Sequence, residues 1–210
     1  GQQNDTLELY FTAAEFAAHE EAIAKFANDV EDTGTGSLVI GGRTLNADNI
    51  EFVAVHVDGA EVPVLIDDTI TINEVASITE QITADPNTQD FIPNAQTTSF
   101  NTPSAVVLTT PLGGGTVVNC AQGDWVQAGD VWTLDLVDGS DNYGQLIVDA
   151  TDPEAVTATL DVPDAANSAW EPMDTGDNAT VVFDYSATVE GSESATVTIN
   201  VEGVNDAPVA

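Results

Sequence analysis

The sequence predicts a mainly β fold: a β-sandwich with one helix near its N-terminus and long loops. Three observations predict it. Apolar and polar residues alternate through the last third of the chain, as in Val181, Phe183, Tyr185, Ala187 and Val189 against Thr180, Val182, Asp184, Ser186 and Thr188. Turn residues (Gly, Asp, Asn, Pro) separate such runs regularly from residue 116 onward, which is the pattern of a sandwich. Convincing helical periodicity occurs in a single place, residues 12–30, and the 42% hydrophobic content is enough for a core.

The helix is read from both its cap and its stripe. Thr12 and Glu15 fit a capping box, in which each side chain bonds the other residue's backbone. Phe16, Ile23, Phe26, Ala27 and Val30 fall on one face at near-helical spacing, so that face packs on a sheet. The period then changes to two. Residues 37–40 form a short strand before Gly41-Gly42. Residues 50–57 and 60–66 flank Asp58-Gly59, a strong hairpin signal. Pro63 puts the second of these strands at an edge. Residues 69–82 fit strand or helix. Residues 83–104, with Pro86, Pro93 and Pro103, read as a long loop, and such loops are often functional. Strands follow at 105–109, 116–119, 131–137, 144–149, 156–162, 179–189 and 194–202, with turns at 111–115 and at Gly191-Ser192.

The charge sets the chemistry. The chain has 36 acidic residues against Lys25 and Arg43, a formal net charge of -34. A fold so charged repels itself. Clustered carboxylates without local cations suit calcium, which takes oxygen ligands; the plainer alternative is a salt-adapted or very soluble surface. The same charge excludes nucleic acid, whose binding rests on Lys and Arg, and disfavours anionic membranes. No apolar run approaches transmembrane length, and membrane insertion is not expected. Cys120 is the lone cysteine, so no disulfide framework or thiolate metal site is expected.

Several stretches occur in a telling order: Asp138-Gly-Ser-Asp141-Asn-Tyr-Gly144-Gln-Leu146, then Asp184-Tyr185, Glu190-Gly191, Ala195-Thr-Val-Thr-Ile199, and last Gly203-Val-Asn-Asp-Ala-Pro208. The last third of the chain thereby resembles the VCBS and cadherin-like repeats of giant bacterial RTX adhesins. A Gly-x-Trp-x-Tyr hairpin usual in those repeats is missing, and residues 1–118 do not match. The resemblance implies two portions: 1–118, a ligand-binding elaboration with the helix and the long loop, and 119–210, a cadherin-like sandwich portion, with one continuous domain as the alternative. It implies a calcium-loaded module of an extracellular, cell-surface adhesin acting in adhesion and biofilm formation. The expected partners are neighbouring repeats and a short peptide, one with a free C-terminus included, on a host or partner cell. A glycan ligand and a purely structural extender are the alternatives. The resemblance also makes Asn205 and Asp206 half of an interdomain calcium site.

Within the chain, Asp138, Ser140 and Asn142 place oxygens at alternate positions and Asp149 stands twelfth, echoing an EF-hand loop. Asp141 adds a carboxylate. The glycine comes one place late at Gly144 and a serine stands third, so the loop is equally an ordinary Asp/Gly/Ser turn. Asp67-Asp68 at a strand end and Asp124 with Asp130 around Trp125 are further metal candidates. Trp125, Tyr143 and the backbone at Gly114 and Gly115 are candidate ligand contacts. Trp132 shares a face with Leu134 and Leu136 and reads as core; Trp170 reads as a loop anchor. Catalysis is not expected. His19 and His56 read as packed or solvated, Gly113-Gly114-Gly115 is no phosphate loop, and Cys120 reads as a small buried residue.

Overall fold

The computed structural model describes residues 6–50, 52–75, 77–82, 90, 92, 98–111, 116–153, 155–163 and 168–204. The fold is mainly β, with sixteen strands and two α-helices among the described residues. The chain forms two compact units, and their boundary does not fall near residue 118. The first comprises Gly1–Ile66, Thr83–Asn101 and Ser186–Ala195; the second comprises Asp67–Ile82, Thr102–Tyr185 and Thr196–Ala210. The chain therefore returns to the first unit at the tip of its last hairpin, which alternation alone does not reveal.

In the first unit β1 (Thr6–Phe11) pairs in parallel with β4 (Phe52–Val57), and β4 pairs antiparallel with the two-residue β5 (Ala60–Glu61). A parallel pair needs a long crossover. Here it contains helices α1 (Ala13–Ala17) and α2 (Glu20–Thr33) and the hairpin of β2 (Thr35–Ile40) with β3 (Arg43–Asp48). Thr12 caps α1 through the expected box with Glu15. The expected single helix is two, because His19 leaves helical geometry (φ -141°) and starts α2 afresh. The predicted stripe is intact: Phe16, Ile23, Phe26, Ala27 and Val30 are all buried with Leu9, Val53 and Val55. Burying a side chain such as Phe26 or Ile23 contributes about 1.5–3 kcal/mol.

The second unit is a β-sandwich. One sheet runs β10 (Thr116–Cys120), β9 (Val106–Thr110), β15 (Asn178–Thr188), β16 (Ser192–Glu202), β6 (Asp68–Asn73). The other runs β11 (Val126–Ala128), β12 (Val131–Asp138), β13 (Asp141–Asp149), β14 (Thr157–Asp161), β7 (Ile78–Gln81). The first strand of the unit, β6, pairs in parallel with its last, β16. The inward rows are those the alternation predicts: Val181, Phe183 and Tyr185 on β15, Val197, Ile199 and Val201 on β16, and Trp132, Leu134 and Leu136 on β12.

Several boundaries differ from expectation. Residues 69–82 are the strands β6 and β7, parted by a turn at Glu74-Val75. Beyond Glu61 the predicted strand 60–66 keeps one isolated bridge, at Val64, since Pro63 has no N–H to donate to a ladder. Strands β1 and β3 went unpredicted. Gly41 and Gly42 both take positive φ (57° and 75°), as a type I′ hairpin turn requires. Most of the predicted 83–104 loop lies outside the described residues; Ser99–Phe100 within it form β8, paired with Ala187 and Thr188.

Candidate functional site

The structure disperses the predicted metal ligands. Residues 138–149 are a hairpin turn followed by strand β13, not an ion-wrapping loop. Asp138 and Asp141 form the last pair of the β12–β13 ladder, either side of Gly139-Ser140, and both are exposed. The Asn142 side-chain oxygen accepts from the Gly144 N–H (2.9 Å). Asp149 stands at the far end of β13, roughly 26 Å along an extended strand. The EF-hand-like set is therefore corrected: Asp149 cannot share an ion with Asp138. Register brings Asp149 instead to the end of the sheet where Ala150 N–H donates to the Asp130 carbonyl. There the Asp149 carboxylate caps the backbone N–H and the hydroxyl of Thr151.

Asp67 and Asp68 do not form a chelating pair either, because neighbours on an extended chain face opposite ways. Asp67 is exposed and accepts from Thr196 N–H (2.7 Å), whereas Asp68 is buried, with the Tyr185 hydroxyl 3.5 Å away. Asn205, Asp206, Gly114 and Gly115 lie outside the described residues. Among the described residues no three His, Cys, Asp or Glu side chains are grouped so as to hold a metal ion.

Two aromatic candidates prove to be core. Trp125 is 8% exposed; its indole N–H donates to the Ser104 carbonyl (2.9 Å), and its ring meets Phe183 edge-on. It follows a 3-10 turn (Gln122–Asp124) that throws the indole inward. Tyr143 is 3% exposed and packs edge-to-face on Trp170. Burial, then the charges of Asp141 and Asp138, push its phenol pKa up. Neither ring offers a face to a ligand.

The structure assembles a different place. An open cleft of 310 Å³ lies along the outward face of β12, beside the end of β10 and the 3-10 turn. Asp124 and Asp135 supply its carboxylates, Asn119, Thr133 and Gln145 its neutral polar groups, and Val126 and Val137 its apolar walls. Of the predicted residues that the structure describes, only Asp124 belongs to it. Its carboxylate is fixed by one oxygen, Oδ2, which accepts from the Ala121 N–H (2.7 Å). Asp135 is likewise held by one oxygen, accepting from the Gln145 amide (2.7 Å) across the ladder. Cys120 lines the cleft as a neutral thiol, its pKa raised by burial and next by the charge of Asp124. The alternation that places Trp132, Leu134 and Leu136 inward also places Thr133, Asp135 and Val137 outward, and that signal could have found the cleft.

A second relationship concerns charge. Lys25, Arg43, His19 and His56 all belong to the first unit. The second unit has no cationic side chain of its own, so its carboxylates are offset by hydrogen bonds and by whatever the solution supplies. Besides exposed Asp124 and Asp135 it contains two buried acids, Asp68 and Glu74; Glu74 accepts from the Val204 N–H (2.8 Å) where the chain leaves β16. In the first unit, His56 stacks on Tyr10 with centroids 4.6 Å apart, half-buried on the sheet as expected.

No family model matches the chain, and no curated protein is significantly similar to it.

Proposed function

We propose that the chain is a calcium-dependent ligand-binding module of a large bacterial cell-surface adhesin, taking a short peptide from a host or partner cell. The strand path of the second unit carries the reading. Its first strand pairs in parallel with its last, β16 leads directly to Gly203-Val204 and the Asn-Asp-Ala-Pro segment, and Glu74 ties that exit to the first strand's end. Cadherin domains share this sandwich architecture, and the resemblance of the last third of the sequence points the same way. A unit of carboxylates without one cationic side chain supports a role for calcium, a hard cation that seeks oxygen. The ions belong at loops and at the chain exit, since the hairpin 138–149 does not fit one. In this reading the chain binds and does not catalyse.

The test is isothermal titration of the chain with peptide and sugar panels, in calcium and in EDTA. A peptide bound in calcium and lost in EDTA is the expected result. A sugar bound instead supports the glycan alternative. Binding of neither leaves an extender, the reading the same strand path would then favour.

A further inference from the structure

We infer that the cleft beside β12 is a lysine-binding site, taking the ammonium group between Asp124 and Asp135 and the alkyl stem against Val126 and Val137. The inference deepens the peptide-binding reading and rests on it for the source of the lysine.

Size comes first. Ligand pockets span about 300–1,000 Å³, and at 310 Å³ this cleft admits one side chain with its adjoining backbone. Charge comes next. Among the described residues both charged groups lining it are carboxylates, and the unit around it contains no Lys, Arg or His. An anion is repelled, and a cation is both steered in and held.

The carboxylate geometry then chooses among cations. Arginine is favoured where a carboxylate offers both oxygens to its planar fork. Here one oxygen of each aspartate already accepts a bond, that of Asp124 from the Ala121 N–H and that of Asp135 from the Gln145 amide. Each keeps one oxygen wholly open while the other is shared with that donor, which hinders a two-pronged grip on both oxygens, and two such carboxylates suit an ammonium, a point charge with three donors. Thr133 and Asn119 line the same cleft and can accept the third hydrogen. Calcium takes six to eight oxygens and gains nothing from the two valine walls, whereas a lysine stem does. Val126 and Val137 are 66% and 52% exposed, and covering them with a lysine stem removes apolar surface from water.

The cleft is also built before any ligand arrives. Trp125, buried and bonded to Ser104, anchors the turn that bears Asp124, and the Gln122 amide pins that turn to the Thr102 carbonyl. Asp135 sits in the middle of a paired strand. Little ordering is needed on binding, and preorganisation favours affinity.

The test is amide chemical-shift mapping on the full chain with Nα-acetyl-lysine methylamide, its norleucine and arginine counterparts, and calcium chloride, all at matched ionic strength. The lysine probe should shift the amides of Asn119, Thr133 and Gln145 saturably. The norleucine probe should bind at least about tenfold more weakly, and the arginine probe more weakly than lysine. D124N and D135N, which keep an oxygen for the Ala121 and Gln145 donors and so preserve the fold, should each weaken lysine at least about tenfold. Equal shifts with norleucine, shifts spread over the acidic surface, or calcium displacing lysine from these amides would each overturn the site. If lysine-free peptides bind the chain while the lysine probe does not, this inference falls and the peptide-binding reading stands. If the lysine probe binds while no peptide does, the site stands and that reading falls.

Discussion

Trp170 donates its indole N–H to the Tyr143 carbonyl at 2.8 Å, while the two rings meet edge-to-face with centroids 4.9 Å apart. Both residues are buried, so this contact fixes the segment after β14 onto the start of β13. Trp132 is equally buried, yet its indole N–H has no hydrogen-bond partner among the described residues. The pair makes a controlled comparison. Trp170→Phe and Trp132→Phe remove the same atoms, but only the first breaks a hydrogen bond and strands a buried carbonyl. Trp170→Phe should be more destabilising by about 1–2 kcal/mol. Urea denaturation of the two variants checks this, and equal midpoints would contradict it.

Gly144 tests the backbone of the same region. Its φ is 107°, and a Cβ there would lie 2.3 Å from the Asp161 carbonyl oxygen. Gly139, at φ 60°, has open space where its Cβ would go. Gly139→Ala should cost about 1–2 kcal/mol, the left-handed penalty alone. Gly144→Ala adds a collision with backbone and should cost about 3 kcal/mol or more. Thermal unfolding of the two variants separates them.

Two glutamates predict opposite pH dependences. Burial pushes the Glu193 pKa up, partly countered by the Ser194 N–H. The folded state thus binds a proton more readily than the unfolded one. The stability from this group is present below the ordinary carboxylate range and lost as pH rises through the raised value. Glu15 is the reverse: hydrogen bonds from the Thr12 backbone and then its hydroxyl lower its pKa. Its contribution is present above the ordinary range and lost as pH falls. Relative to the parent chain, Glu193→Gln should gain stability as pH rises and Glu15→Gln should lose it. Denaturation midpoints from acid to neutral pH read both slopes.

Much of the fold was legible because it depends on local patterning. The rows on β15 and β16 and the stripe on α2 each follow from a single period, and the capping box from two residues. The division of the chain was not legible, since sending Ser186–Ala195 to the first unit is a tertiary matter. The site was read least well, for a physical reason. Counting from Asp138 to Asp149 assumes a closed loop, but the intervening residues extend and carry the two ends apart. Trp125 looked exposed because its flanks, Asp124 and Gln122, are polar; a 3-10 turn can carry polar flanks outside and one indole inside. Asp135 was overlooked because its importance comes from the neighbours that β10 and β13 bring to it.

The second unit has no Lys, Arg or His within it, so in the proposed reading cations from solution, calcium above all, complete it. Thermal unfolding in calcium and in EDTA, with sodium chloride holding ionic strength constant, tests it most directly. An ion that binds only the folded state stabilises it by about 2.7 kcal/mol at a hundredfold excess over its Kd, a rise in Tm on the order of 5–10 °C for a chain this long. Such a rise in calcium is the predicted result; the same Tm in calcium and EDTA would contradict it.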